Sequence, residues 1–277
     1  MFRKYIKTTL ISLLLVVILL VLMKEFKNSI QQIRVIDKEN QNEEIITKVQ
    51  KPNIDLPEIF VDETEHIDKD KIESWIAIDR EEKYNNELQS YSKDNVFFDK
   101  DIIVISSTKE NREVEIYTSG LVESTESFKY GRFEFDIVIS KGRGIFPAIW
   151  LLPINGEALP EIDIFEMIGS EPDIFYGVVH FEENGIQRRD YFVHRVIEKQ
   201  QYSVALEWEA ESLTWYIDEE ELYTTSLGVP QEYMYLIINQ AIGGNWPGSP
   251  DGDTIFPNEF KILSTSIEPV FRKGRNL

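Results

Sequence analysis

Pro160-Glu161-Ile162-Asp163-Ile164-Phe165-Glu166-Met167 sets three carboxylates close together among large apolar side chains. Ile162, Ile164 and Met167 alternate with the acids, the period of two expected of a strand with one buried face. Glu161 and Asp163 therefore share a face. Glu166 is five positions from Glu161, an odd number that sends it to the other face of a regular strand. One extra residue, a β-bulge, restores the parity and brings all three acids together. Neighbouring carboxylates repel one another, so some of their pKa values rise. A pair with split values suits acid and base work at neutral pH. The competing reading of the same stretch is an acidic, solvated strand face.

Outward from this stretch the pattern stays β. Phe133, Phe135, Ile137 and Ile139 alternate with Arg132, Glu134, Asp136 and Val138. Val204, Leu206 and Trp208 alternate, residues 209–212 turn, and Leu213, Trp215 and Ile217 alternate again, which predicts a hairpin. Residues 233–239 form a mostly apolar run ending at Ala241-Ile242-Gly243-Gly244. Strands parted by Gly, Asn, Asp and Pro turns, with no long helical period after residue 60, predict an all-β sandwich.

The chain has 277 residues, 42% of them hydrophobic and 12% aromatic, enough for one large core. A net charge of −20 argues against nucleic acid as a partner, because phosphate recognition needs basic surface. There is no cysteine, which excludes disulfides, thiol nucleophiles and thiolate metal sites.

At the N-terminus, Arg3, Lys4 and Lys7 precede residues 8–23, an uncharged run dominated by Leu, Ile and Val. At 1.5 Å per residue it covers roughly 24 Å, and snorkelling of Lys7 and Lys24 extends its reach. The charged residues 24–27 make a poor cleavage site. The expectation is a membrane helix over residues 1–23 with its N-terminus in the cytoplasm. A polar stalk over 24–56 and an extracellular domain over 57–277 follow. A secreted, cleaved form is the alternative.

Trp150, Trp208, Trp215 and Trp246 lie in the predicted sandwich. Trp208 and Trp215 fit strand alternation and core positions. Trp246 sits in Gly243-Gly244-Asn245-Trp246-Pro247-Gly248, a loop where an exposed ring is a platform for a sugar face. Asn85, Asn86, Glu87 and Gln89 form a polar cluster suited either to hydroxyl partners or to a turn. His180, in Gly177-Val178-Val179-His180, lies one strand beyond the acids.

Several stretches occur in an order that resembles glycoside hydrolase family 16, in its laminarinase-like, endo-β-1,3-glucanase branch. They are Asn85-Asn86-Glu87-Leu88-Gln89-Ser90-Tyr91, Tyr117-Thr118-Ser119-Gly120, Tyr130-Gly131-Arg132-Phe133-Glu134, and Pro147-Ala148-Ile149-Trp150-Leu151-Leu152-Pro153. Then come Glu161 to Glu166, Gly177 to His180, Glu207-Trp208, Trp215-Tyr216-Ile217-Asp218, the segment from Asn239 to Gly248, and Phe256-Pro257. The resemblance implies a β-jelly roll of two curved antiparallel sheets with a sugar cleft on the concave face. It implies Glu161 as nucleophile, Glu166 as acid/base and Asp163 as the residue assisting the nucleophile. Asn86, Trp150, His180, Asn239 and Trp246 match positions that line the family's cleft.

The implied activity is endo-acting hydrolysis of β-1,3- or mixed β-1,3/1,4-glucan by a monomer without a cofactor. Agarase- or carrageenase-like specificity and a non-catalytic glucan-binding module are the alternatives. With one bulged residue, Glu161 and Glu166 are four steps apart, roughly 13 Å along an ideal strand. Bending at the bulge and inward-leaning side chains bring the carboxyls toward the about 5–5.5 Å of a retaining enzyme. Leu121 stands where the family usually has Arg, and Phe146 where it has Trp. Residues 62–64 and Leu263 depart from positions that help hold a structural calcium in many members, so no metal is expected.

Overall fold

A computed structural model of the chain describes residues 71–275, apart from residue 73 and residues 112–114. The expected anchor, the stalk and Asp62-Glu63-Thr64 lie outside the described residues. No helix among the described residues is long and apolar enough to cross a membrane.

The strands run β1 (Lys71–Ile72), β2 (Trp75–Ala77), β3 (Gln89–Tyr91), β4 (Val96–Asp99), β5 (Ile102–Asn111), β6 (Glu115–Ser119) and β7 (Leu121–Ser124). They continue with β8 (Glu126–Val138), β9 (Ile145–Pro153), β10 (Glu161–Met167), β11 (Ile174–Glu183) and β12 (Ile186–Arg195). The last are β13 (Gln201–Trp208), β14 (Leu213–Ile217), β15 (Glu220–Thr225), β16 (Met234–Ile242) and β17 (Asn258–Gly274).

Antiparallel pairing orders β12, β11, β10, β9, β16, β7, β2 and β1 into one sheet. A second orders β15, β14, β13, β8, β17, β5 and β4. The all-β sandwich and the hairpin of β13 and β14 are as the alternation predicts.

The inward side chains alternate as the sequence pattern requires. Phe133, Phe135 and Ile137 of β8, Leu206 and Trp208 of β13 and Phe260 of β17 belong to one buried cluster. From the first sheet it takes Ile149 and Leu151 of β9, Ile162 and Met167 of β10 and Leu236 and Ile238 of β16. Two short hairpins have the turn chemistry their geometry demands. Asn184 and Gly185 join β11 to β12 with φ of 56° and 75°, and Asp218 and Glu219 join β14 to β15 with 51° and 67°. Two consecutive positive φ values make the turn that matches strand twist. The first hairpin matters for the site, because it places Arg189 opposite His180. Leu263 sits at a register shift in β17, between Ile262 and Ser264.

Candidate active site

β10 carries the bulge that the parity of its acids requires. Against β9, Asp163 pairs with Trp150 and Phe165 with Ile149, which leaves Ile164 as the extra residue. Against β11, the register shifts between Asp163 and Glu166. Ile164 and Phe165 are therefore both buried, at 3% and 1% exposure, while Glu161, Asp163 and Glu166 share the other face. Phe165 packs on Phe175 and Phe260, with ring centroids 4.9 and 6.0 Å away.

Two features of the core support the bulge. The indole Nε1–H of Trp215, from the other sheet, donates to the carbonyl of Asp163 at 2.9 Å. Gly177 lies opposite the bulge, between the partners of Asp163 and Glu166. A Cβ there would stand 2.7 Å from Trp215 Nε1 and 2.3 Å from the Phe192 ring. Glycine thus leaves room for the indole that satisfies the strand's carbonyl, a group that is costly to bury unpaired. Sequence alternation marks Trp215 as core; that it also caps the acid strand is legible only from the fold.

Register carries the acids across the sheet in rows. Glu161 faces His180, which faces Arg189. Asp163 faces Val178 and then Tyr191 on one side, and Trp150 and then Ile237 on the other. Glu166 faces Tyr176 on one side, and Ala148 and then Asn239 on the other. A cavity opens over these rows. Its lining includes Glu161, Glu166, Tyr176, His180, Arg189 and Trp246. Asn85, Glu87, Phe146 and Tyr191 line it too.

The acids are electrostatically strained. Burial, then the charge of Asp163, pushes Glu161 up to about 8. Burial also pushes Asp163 up to about 8, against the hydrogen bond it shares with Glu161. Glu166 is held well above the usual carboxylate range by burial, then by the charges of Asp163 and Glu161; His180 and Arg189 pull the other way. Three carboxylates this close do not all ionise at neutral pH. His180 Nε2 lies 3.3 Å from Asp163 Oδ2.

The remaining predicted residues divide. Trp246 is 48% exposed, yet it is not a free ring: Tyr176 and Phe146 meet it edge-on at 4.7 and 5.4 Å. Asn86 lies at the rim, where its Nδ2–H donates to Asn245 Oδ1 at 2.6 Å and ties two loops together. Trp150 and Asn239 are on the acid face but are committed to each other. Trp150 Nε1–H donates to Asn239 Oδ1 at 2.7 Å, and Asn239 Nδ2–H donates to Tyr91 Oη at 2.8 Å. Asn239 is 6% exposed, so it positions the tryptophan from beneath. Leu121, beside Asn239 in the register, is buried with Tyr91 and Ile237.

Arg189, Tyr176 and Tyr191 are lining residues that sequence reasoning does not find. Their signal is the alternation of β11 and β12, readable once those strands are aligned on His180.

The profile of glycosyl hydrolases family 16 matches residues 83–256. The chain belongs to glycosyl hydrolase family 16. Its chemistry is accordingly that of a glycoside hydrolase. Within the family it is 31% identical over 207 residues to a β-glucanase of Rhodothermus marinus, covering 64% of this chain and 72% of that one. It is 33% identical over 152 residues to endo-1,3-1,4-β-glycanase EglC of Rhizobium meliloti, covering 53% of this chain and only 32% of that longer one. Among solved structures it resembles a laminarinase from Flavobacterium sp. UMI-01, with a TM-score of 0.63 and 28% identity, over 73% of this chain and 97% of that one. The family's jelly-roll sandwich agrees with the two sheets described here.

Proposed function

We propose that this family 16 hydrolase cleaves internal bonds of β-1,3- or mixed β-1,3/1,4-glucan by retaining double displacement. The observation that supports it is the bulge at Ile164, which sets Glu161, Asp163 and Glu166 on one face beneath a cleft walled by Trp246. The β-glucanase and laminarinase relatives support the substrate class.

Glu161 attacks the anomeric carbon and forms a glycosyl-enzyme, while protonated Glu166 gives its proton to the leaving oxygen. Water then enters, Glu166 takes its proton, and Glu161 departs. Asp163 shares one proton with Glu161, so that the pair carries one negative charge rather than two. The Trp246 ring receives the apolar face of a sugar.

The test is a product profile. The chain is incubated with laminarin, mixed-linkage glucan, agarose and carrageenan, and the oligosaccharides are separated by size. A ladder of oligosaccharides from laminarin or mixed-linkage glucan is the expected result. Products from agarose or carrageenan alone would move the specificity elsewhere in the family, and products from none would favour a binding module.

The proposed location is the outer face of a membrane, with residues 1–23 as a single-pass anchor. The support is the basic flank before an uncharged apolar run. Protease shaving of intact cells is expected to release the domain. A mature N-terminus just after Met23 would show a secreted form instead. The domain is expected to act as a monomer, which size-exclusion chromatography checks.

A further inference from the structure

Nε2 of His180 and Oδ2 of Asp163 face each other, and no hydrogen bond joins them. Nε2 of His180 lies 3.3 Å from Oδ2 of Asp163. Yet that oxygen is buried without a hydrogen-bond partner. The two observations agree if the approach is close enough for an ion pair but off the line a hydrogen bond needs. The Asp163 side chain is only 4% exposed, so water does not easily make good the loss.

Glu161 completes the group. One donor atom from each of Glu161, Asp163 and His180 lies within 4.8 Å of the other two. Atoms of this kind are satisfied together by a shared electrophile. In a tetrahedral zinc site, bonds of about 2.0–2.1 Å set neighbouring donor atoms roughly 3.3–3.4 Å apart. The His180–Asp163 pair already has that spacing. The longer, partly exposed Glu161 side chain has the rotamer freedom to close the rest.

Zinc accepts both imidazole nitrogen and carboxylate oxygen, and its open sites use three protein ligands with the fourth position free. Calcium asks for six to eight oxygens, which three side chains with one nitrogen do not supply. Imidazole suits zinc, copper, iron and nickel, and affinity along the divalent first-row series peaks at copper.

We propose that Glu161, Asp163 and His180 bind a divalent transition cation of the zinc or copper kind, and that the bound ion shuts the enzyme off by occupying its nucleophile. The shutdown rests on the hydrolase reading above; the binding does not.

The experiment uses Co²⁺ as a visible stand-in for zinc. The full chain is titrated with CoCl₂, followed by absorbance in the visible range, then challenged with ZnCl₂. Laminarin hydrolysis is measured in parallel, with EDTA added afterwards. A tetrahedral cobalt spectrum that zinc displaces is expected, with hydrolysis lost on zinc and restored by EDTA. His180→Gln is expected to weaken cobalt binding at least tenfold. His194→Gln, whose imidazole lies on β12 outside the cluster, is expected to leave it unchanged.

Asp163→Asn is the second variant, and circular dichroism melts verify that each variant is folded. A flat cobalt titration, or His180→Gln binding as tightly as the parent, would overturn the site. A cobalt spectrum with hydrolysis unaffected by zinc would keep the site and overturn the shutdown. A cobalt spectrum in a chain that cleaves no glucan would keep the site and overturn the glucanase reading instead.

Discussion

Glu166 stands on the same face of β10 as Asp163, three residues away, because Ile164 is inserted between them as a bulge. Deleting Ile164 gives a regular strand in which Glu161, Asp163 and Glu166 keep one face, but the bend that the bulge puts between Asp163 and Glu166 is lost and the two glutamates are drawn apart along the strand. Laminarin hydrolysis is expected to drop by about 10³-fold or more, the scale of losing a positioned acid or base. Retained far-ultraviolet circular dichroism with lost activity is the expected pair of readings. Activity within tenfold of the parent would show that the bulge does not set the geometry.

The roles of the two glutamates separate by chemical rescue. Glu161→Ala and Glu166→Ala are each expected to lose about 10²–10⁴-fold or more in turnover. With an activated aryl glycoside and sodium azide, Glu161→Ala is expected to give the glycosyl azide of inverted configuration, because azide attacks where the carboxylate did. Proton NMR of the product reads the anomer. Time-resolved NMR of the parent enzyme is expected to show the retained anomer first; the inverted anomer appearing first would remove Glu161 from the nucleophile's role.

Glu161 has a folded-state pKa of about 8, above the roughly 4.3 of an unfolded chain. The folded state therefore holds the proton more tightly. Its contribution to stability is fully present below about pH 4 and is lost as pH rises through 8. Urea unfolding across this range is expected to show Glu161→Gln losing less stability with pH than the parent. Activity follows the opposite course on its acid side, rising through the neutral range as the nucleophile ionises. Asp163→Asn removes a neighbouring charge that raises Glu161, so the acid limb of kcat/KM is expected to move to lower pH. An acid limb that stays in place would separate Asp163 from the ionisation of Glu161.

Gly177 and Trp215 act on the acids from inside the core. Gly177→Ala puts a methyl 2.7 Å from the indole nitrogen that holds the Asp163 carbonyl. Trp215→Phe removes that donor and leaves the carbonyl unpaired, at about 1–3 kcal/mol. Both variants are expected to melt lower, by roughly 2–4 °C per kcal/mol for a domain of this size. Both are also expected to lose kcat more than they raise KM, since neither side chain is in the cleft lining. A rise in KM with kcat intact would place their effect on binding instead.

Asn239 offers a test of positioning. Asn239→Ala strands the indole N–H of Trp150 and the hydroxyl of Tyr91, and is expected to cost about 1–3 kcal/mol in urea unfolding. Asn239→Asp can still accept from both groups, and is expected to recover part of that loss. Equal losses in the two variants would show that the hydrogen bonds contribute nothing beyond shape.

The sequence carries the parity of the acid stretch, and with it the strand, the bulge and the shared face, because alternation is a local property of the chain. His180 is legible for the same reason, one strand on. The fate of Asn239 is not. It sits in β16, whose last seven residues are all buried, and nothing local says that Tyr91, some 150 residues earlier, lies over it. Trp246 is legible as an exposed ring in a glycine-rich loop, but its supports, Phe146 and Tyr176, come from other strands. Arg189 escapes because β12 is an exposed edge strand whose polar residues look like solvent-facing ones until pairing sets Arg189 beside His180.

The indole cap on the Asp163 carbonyl makes the acid motif non-portable. Copying residues 160–167 onto another sandwich would transplant three carboxylates without the donor that fixes their strand or the glycine that lets the donor in. A designer grafting this activity has to move a block spanning both sheets, with Gly177, Phe192 and Trp215 as well as the acids.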